Sequence, residues 1–261
     1  MAAEAHVLGF GVTYDMVAAE TACGQHLSLT AHRRNEAIPP HRHTNDYVCI
    51  VLAGGFAEQE GATWRERVGG SYFTHHAGEL HHDRFGPAGA ICVNLHYRRQ
   101  QPASHLEGRC SPIASVAAHS LALELAAGFG EELALASLAA EIMGELRTPA
   151  SIIPDRGKWM DDVVEAIIDD PARRWRLQEL AAIAGRHPIH VAQSFRARTG
   201  VSLGAFQRTC RLTSLSLAIR RTKTPLATLA YEFGYCDQPH MNSEFGRAFG
   251  VSPGRYRRDF H

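Results

Sequence analysis

Leu177-Gln178-Glu179-Leu180-Ala181-Ala182-Ile183-Ala184-Gly185 returns downstream as Leu226-Ala227-Thr228-Leu229-Ala230-Tyr231-Glu232-Phe233-Gly234. Two leucines, an alanine and a glycine recur with the same internal spacing. Phe195 and Gly200 then return one residue later in step, as Phe245 and Gly250, and both copies close alike: Gly200-Val201-Ser202 with Gly204 and Phe206, Gly250-Val251-Ser252 with Gly254 and Tyr256. A repeat of about fifty residues is also the period of some helical solenoids, but those arrays need roughly three units to bury their faces. With two copies, a pair of DNA-reading modules fits better.

Each copy reads as a helix, a tight turn and a second helix. Leu177, Leu180, Ala181 and Ala184 recur at helical spacing, and Gly185 supplies a residue that takes positive φ where the helix must stop. Pro188 falls just inside the start of the next helix, where a missing N–H costs nothing, and Val191, Phe195 and Arg198 follow at three- and four-residue steps. The second copy predicts a helix over Leu226 to Phe233, a break at Gly234 and a helix over Gln238 to Phe249. An Ala-x-x-x-Gly corner feeding an amphipathic helix is the helix-turn-helix pattern, whose second helix lies in the major groove. Between the copies, Ser202 to Thr222 predicts a connecting helix with Ser202 as N-cap and Leu203, Phe206, Cys210, Leu217 and Ala218 buried. About twenty residues at 1.5 Å each approximate one turn of duplex DNA.

Charge follows the same division. The 27 basic and 27 acidic residues cancel over the chain, yet residues 1–150 carry 10 basic against 16 acidic groups and residues 151–261 carry 17 against 11. From Pro171 onward the count is 15 against 5, the electrostatic footprint of a module facing phosphates.

Residues 171–258 resemble the double helix-turn-helix domain of the AraC family of bacterial transcription regulators. The stretches that carry the likeness are Leu180-Ala181 to Gly185, Phe195-Arg196 to Gly200-Val201-Ser202, Arg211-Leu212 with Ala218, Pro225-Leu226 with Leu229-Ala230, Gly234-Tyr235 with Asp237-Gln238, and Phe249-Gly250-Val251-Ser252-Pro253-Gly254 with Tyr256-Arg257. The resemblance implies recognition of double-stranded DNA by both helices of one domain and an N-terminal part for effector binding or dimerisation. Gln193 and Ser243 stand where the family commonly carries arginine, and Gly246 where a further basic residue is often found, so strong readout of guanine by arginine forks is not expected. The candidate DNA contacts are Ile189 on thymine methyls, His190, Gln193, Gln238, His240 and Asn242 on base edges or phosphates, and Arg196 and Arg247 on phosphates.

The first half of the chain is built differently. Gly, Pro and aromatic residues punctuate short apolar runs such as Tyr47-Val48-Cys49-Ile50-Val51-Leu52, Gly70-Ser71-Tyr72-Phe73 and Ala90-Ile91-Cys92-Val93-Asn94-Leu95. With turns expected at Ala53-Gly54-Gly55 and Gly86-Pro87, these predict an all-β barrel or sandwich. Twelve of the sixteen histidines lie between the start of the chain and His119, a bias that needs a cause. His41 and His43 flank Arg42, and a two-residue step sends both imidazoles to one side; Glu79 and His81 repeat that step. Together they are candidate ligands for a divalent metal such as Zn. Residues 38–97 resemble a cupin, with the first motif matched at His41, His43 and Gly54 and the second at Gly70, Gly78 and His81. The motif's acidic ligand falls on Tyr47, its proline on His76 and its closing asparagine on Phe85, which leaves Glu79, Asp46 or His82 as substitutes. A bound metal, an organic effector in a barrel lined by these residues, and a structural hydrogen-bonding role are the three readings of the cluster.

From Ser111 to Arg147 the composition turns to Ala, Leu and Glu. Leu121, Leu125, Leu133, Leu138, Ile142 and Leu146 give helical stripes broken at Gly128-Phe129-Gly130, which predicts a hairpin that covers the barrel or pairs with its twin in a homodimer. Thr148-Pro149-Ala150 to Pro154 reads as a linker, and Trp159 to Ile168 as one more helix. The expected fold is therefore multidomain α+β: a cupin-like β-barrel over residues 1–110, a helical dimerisation hairpin and linker over 111–150, and an all-α domain with two helix-turn-helix motifs over 151–261. No apolar run approaches the ~18 residues of a membrane span, the start lacks signal-peptide features, and the six cysteines form no CxxC pair, so a cytoplasmic, reduced protein is expected. The expected function is DNA-binding transcription regulation under an effector or metal, with RNA polymerase as a possible partner and no catalysis. The rival readings are a metal-dependent cupin enzyme with an accessory basic domain, and a constitutive DNA-binding protein with a degenerate barrel.

Overall fold

A computed structural model of the chain describes residues 6–9, 13–96, 105–128, 130–148 and 158–259. The chain divides into two compact units, Met1–Ile153 and Pro154–His261. The expected linker falls mostly on residues 149–157, which lie outside the described residues.

The first unit is organised by two long antiparallel strands, β5 (Tyr47–Glu60) and β8 (His81–His96), paired along most of their length. Turns were expected at Ala53-Gly54-Gly55 and Gly86-Pro87; instead both strands run through these points. The glycines mark irregularities: register shifts between Val51 and Ala53 and again between Gly54 and Phe56. Three backbones converge there. A Cβ on Gly54 would lie 2.0 Å from the Gly89 carbonyl oxygen, and one on Gly89 would lie 2.4 Å from the His32 carbonyl oxygen, so only glycine lets the strands bend at this place.

The bend divides the sheet. On one side of it β3 (Gln25–His32) pairs with the last part of β8, with β2 (Met16–Ala22) beyond, while β7 (Ser71–His75) and then β9 (Glu107–Arg109) extend from the start of β5. On the other side β4 (Ala37–His43) pairs with the start of β8, with β1 (His6–Leu8) beyond, and β6 (Thr63–Val68) pairs with the end of β5. Between the two parts lies a core of Ile38, Tyr47, Cys49, Val51, Phe56, Phe73, Phe85 and Cys92. Val48, Ile50 and Leu52, alternating with Tyr47, Cys49 and Val51, point to the opposite face and are also buried. That is why the strand reads as an unbroken apolar run.

The second face is covered by helices. α1 (Pro112–Ala127) starts at Ser111, whose hydroxyl accepts from the Ala114 N–H at 3.1 Å, and ends at Gly128 with φ 70°. It packs against β2, β3, β5 and β8, and α2 (Glu132–Arg147) packs on α1 and β2. Leu121 and Leu125 are wholly enclosed, each contributing about 1.5–3 kcal/mol by burial. The hairpin was expected and forms, but its stripe is corrected: Leu133 is 74% exposed, and the buried line on α2 is Leu135, Ala139, Ile142, Met143 and Leu146.

The second unit is helical. α3 (Lys158–Asp169) packs on α4 (Leu177–Ala184), and α4 meets α5 (Pro188–Thr199) at a corner where Gly185 has φ 59°. α6 (Leu203–Arg221) begins at Ser202, which caps the Ala205 N–H at 3.2 Å, and its nineteen residues span about 28 Å. Leu203, Phe206, Cys210 and Leu217 are buried as expected; Ala218 is half-buried, and Leu212, Leu215 and Ile219 complete the packed faces. α7 (Leu226–Glu232) and α8 (Gln238–Phe249) form the second corner, followed by α9 (Pro253–Asp259). The copies bury equivalent pairs, Val191 with Phe195 and Met241 with Phe245. Their one-residue offset lies in the corner: Asp237 enters as N-cap of α8 and its carboxylate accepts from the His240 N–H at 2.7 Å.

Candidate nucleic-acid interface and interior histidine cluster

α5 and α8 are the second helices of the two corners, each held by its apolar side, so their polar sides face solvent. On α5, Ile189 (59% exposed), His190, Gln193 and Arg196 are all exposed, and the His190 ring lies 6.0 Å from that of Trp159. On α8, Arg247 is exposed with its Nε donating to the Ser243 carbonyl at 3.2 Å, and Gln238 is half-buried at the helix start. Two expected contacts are placed otherwise. His240 packs edge-on to Tyr235 at 5.4 Å, with Nε2 3.5 Å from Arg174 and 3.8 Å from Glu244. Asn242 turns its Oδ1 inward, where it is buried without a hydrogen-bond partner. Arg211, buried in α6, donates to the Arg173 carbonyl at 3.3 Å and lies 5.8 Å from the Tyr235 ring, tying the second corner to the segment before α4. Burial holds its guanidinium below the ordinary arginine range.

The family described as "Helix-turn-helix domain" matches residues 180–259. The HTH-type transcriptional regulator MtrA of Neisseria gonorrhoeae is 26% identical over 102 residues, covering 39% of this chain and 34% of the relative. The Right origin-binding protein of Escherichia coli K12 is 31% identical over 109 residues, covering 42% of this chain and 35% of the relative. The C-terminal domain is an AraC-type helix-turn-helix domain. The chain spans about a third of the length of the curated relatives it matches. Among solved structures, ToxT of Vibrio cholerae aligns over 90% of this chain and 98% of its own with 11% identity and a TM-score of 0.37, and a transcriptional regulator of Chromobacterium violaceum over 39% and 91% with 15% identity and 0.37.

The AraC-type domain accounts for the repeat; the histidines belong to the first unit. β4 sends His41 and His43 to one side, as their spacing requires, and β8 brings His81 opposite His41. The ring centroids are 4.1 Å apart for His41 and His81, 5.0 Å for His41 and His43, and 5.3 Å for His43 and His81. All three are buried, and one ring nitrogen from each lies within 4.8 Å of the others. Glu79 does not join them: it is exposed in the turn before β8, where its carboxylate accepts from the His76 N–H at 2.8 Å. Asp46 accepts from the Ala77 N–H at 2.7 Å, and the His82 ring stacks edge-on to Trp64 at 4.7 Å, so neither of these substitutes faces the cluster.

Two residues outside the expected set do. His75, on β7, stacks on His81 with centroids 4.1 Å apart, and its Nε2 is 3.0 Å from Glu58 Oε1. Glu58, on β5, is completely buried, and its Oε2 receives both Nε and a terminal nitrogen of Arg67 at 2.9 Å. The signal for Glu58 was its alternation with Phe56, legible only once β5 is known to continue past Gly55.

The electrostatics suit neutral imidazoles. Burial pushes His41, His75 and His81 below the ordinary histidine range, with Arg67 adding to the effect at His75 and His75 adding to it at His81. Neutral imidazole is the metal-binding form. His41 Nδ1 bonds the Pro39 carbonyl at 3.0 Å, which leaves Nε2 as a lone pair, and Nδ1 of His81 is buried without a hydrogen-bond partner. This donor set fits a borderline metal of the Zn, Cu, Ni or Fe kind. The half-open space beside it, lined by His41, His43, Tyr47, His75 and Asp83 among others, measures about 40 Å³. Pockets for organic ligands measure ~300–1,000 Å³, so the space as it stands is closer in size to an ion with water.

Proposed function

We propose that the protein is a DNA-binding transcription regulator whose N-terminal unit senses a metal ion. The observation that carries this reading is the pair of corner-fed helices, α5 and α8, each with its polar side open to solvent on a strongly basic domain. The relatives matched over that domain are named as transcription regulators, which supports a regulatory rather than an enzymatic role. Double-stranded DNA is the partner: Ile189, His190, Gln193 and Gln238 meet base edges, and Arg196 and Arg247 meet phosphates. His240 and Asn242 serve the packing of the second corner instead.

In the N-terminal unit His41, His43 and His81 hold the metal. A homodimer forms through the outer side of α2, where Leu133, Ser137, Ala140 and Gly144 are exposed at helical spacing. Metal shifts the population of arrangements of the DNA-binding domains, and does so only to the extent that it binds one arrangement more tightly. No helix among the described residues is long and apolar enough to cross a membrane, and a cytoplasmic location accords with the role. Titrating labelled duplex DNA with the full chain, stripped of metal or loaded with Zn²⁺, across a range of salt tests the reading. Steep salt dependence and a metal-dependent affinity are expected; a salt-independent affinity overturns the DNA interface, and identical titrations with and without Zn²⁺ overturn the sensing role.

A further inference from the structure

We propose that His75 is a fourth nitrogen ligand of the interior metal site and that Glu58 is the outer carboxylate that sets its tautomer, so that the centre is built entirely of imidazole. This rests on the reading of the N-terminal unit as a metal site and adds to it the identity of the residues that replace the carboxylate missing at Tyr47.

Three observations carry it. First, Tyr47 does not fill the vacancy. Its hydroxyl bonds His43 Nε2 at 3.2 Å, so it orients a ligand instead of being one. The residue paired directly across from Tyr47 in the β5–β7 ladder is His75, whose ring stands 4.7 Å from the tyrosine and 4.1 Å from His81.

Second, His75 has the bonding of a ligand prepared by its surroundings. Its Nε2 faces Glu58 Oε1 at 3.0 Å, while the other oxygen of Glu58 is gripped by Arg67, which also reaches Glu107 at 2.7 Å. Glu58 Oε1 has no hydrogen-bond partner as the ring stands, so a turn of the His75 imidazole is what would let the anchored carboxylate take the Nε2 hydrogen and leave the lone pair on Nδ1. That Nδ1 is buried and has no hydrogen-bond partner. Metal-bound histidines are characteristically held this way, with the far nitrogen donating to a carboxylate. Arg67 fixes Glu58 through Oε2 and so holds Oε1 beside the His75 ring, which is the placement an outer carboxylate needs.

Third, the two groups of ligand atoms in this core that lie within 4.8 Å of one another, His41 with His43 and His81, and Glu58 with His75 and His81, share His81. They adjoin at His81, and a single four-nitrogen centre requires the His75 ring to draw toward His41 and His43, from which it now stands apart, with centroids 6.3 Å from His43. His41, His43 and His75 also line the same 40 Å³ space. An all-nitrogen shell selects Zn²⁺, Cu²⁺ or Ni²⁺ and rejects Mg²⁺, Ca²⁺ and Mn²⁺, which require oxygen ligands.

The test uses the full chain, freed of metal by a chelator and titrated with Zn²⁺ alone, with Co²⁺ as a spectroscopic probe of coordination. His41→Ala serves as the control for the site itself, and His105→Ala, an exposed histidine, as the control for incidental binding. The wild type is expected to bind one ion per chain and His41→Ala to lose it. His75→Gln is expected to bind about ten- to a hundredfold more weakly with an altered Co²⁺ visible spectrum, and Glu58→Gln about tenfold more weakly with that spectrum nearly kept. If His41→Ala loses the ion while His75→Gln keeps wild-type affinity and spectrum, the proposal falls and the three-histidine site stands. If the wild type binds neither ion, both fall. Should His75→Gln fail to fold, the imidazole ¹⁵N resonances of the wild type decide: a large shift of His75 Nδ1 on adding Zn²⁺ supports the assignment, and no shift overturns it.

Discussion

The N-terminal unit hides its polar chemistry and the C-terminal unit displays it. Buried inside the first are His41, His43, Glu58, Arg67, His75, His81, Asp83, His96 and His119, whereas the buried polar side chains of the second are Arg211, Thr213 and Ser216 among the described residues. The difference matches what each unit is proposed to meet. A small ion is gripped from several sides by ligands that the fold must already hold in place, and this costs desolvation; a phosphate chain is met across an open surface, where arginines stay hydrated until contact. One unit spends stability to build its site, and the other builds its site on an ordinary apolar core.

The largest expected effect tests that contrast by acid. Burial depresses His41, His75, His81, His96 and His119, the last two to about 3 and about 4, so below pH ~6.5 the unfolded chain takes up protons that the folded one refuses. Stability of the N-terminal unit then falls with pH by up to about 1.4 kcal/mol per unit for each histidine, and by roughly 3 kcal/mol for His119 alone by pH 4. Asp83 and Glu60, both raised above the usual carboxylate range chiefly by burial, oppose this as two groups against five. Denaturant unfolding of the metal-free chain between pH 7.5 and 5 measures it; a flat or rising stability on acidification contradicts the buried neutral cluster.

Next in size is the ion pair. Arg67→Ala leaves Glu58 buried without its partner and is expected to cost about 3–5 kcal/mol. In the C-terminal unit, Arg173 reaches Glu179 at a similar 2.7 Å, but both side chains are substantially exposed, and Arg173→Ala is expected to cost about 1 kcal/mol or less. Equal losses in the two variants, read by chemical denaturation, break the comparison.

The two corners provide a finer test. Gly185 and Gly234 have φ of 59° and 70°, but a Cβ on Gly234 would lie 2.6 Å from the Ala172 carbonyl oxygen, while Gly185 has nothing within 4 Å. Gly185→Ala is expected to cost about 1 kcal/mol and Gly234→Ala about 2 or more, seen as a larger fall in the melting temperature for the second. The smallest effect is on DNA: Arg196→Ala is expected to weaken binding alike on all sequences and lower the salt slope by about one, whereas Gln193→Ala relaxes base preference. Selection from a randomised duplex pool separates them.

The repeat made the C-terminal half readable because each corner is a local device. Gly185, Pro188, Ser202 and Gly234 act on their own few residues, and the helices they bound match the spacing read from sequence. Leu133 was misplaced because helical spacing gives stripes without saying which stripe meets the sheet. β5 and β8 were cut short at their glycines, since a glycine that ends a strand and one that lets two strands cross look alike in a sequence. With that error Glu58 was invisible, and Glu79 stood in its place because it lies two residues from His81.

By itself the sequence determined the elements whose causes are close in the chain: the two corners, the caps, the charge division, and the same-side placement of His41 and His43. Tertiary structure alone decided that His75 and Glu58 come within reach of His81, that His240 packs edge-on to Tyr235 and Asn242 turns its Oδ1 inward, and that the space beside the histidines is about 40 Å³. Local structure depends on a few neighbouring dihedrals and one or two hydrogen bonds, while a ligand set drawn from β4, β5, β7 and β8 depends on the register of strands whose paired residues lie up to 49 positions apart, and a one-residue change of register turns every side chain to the other face.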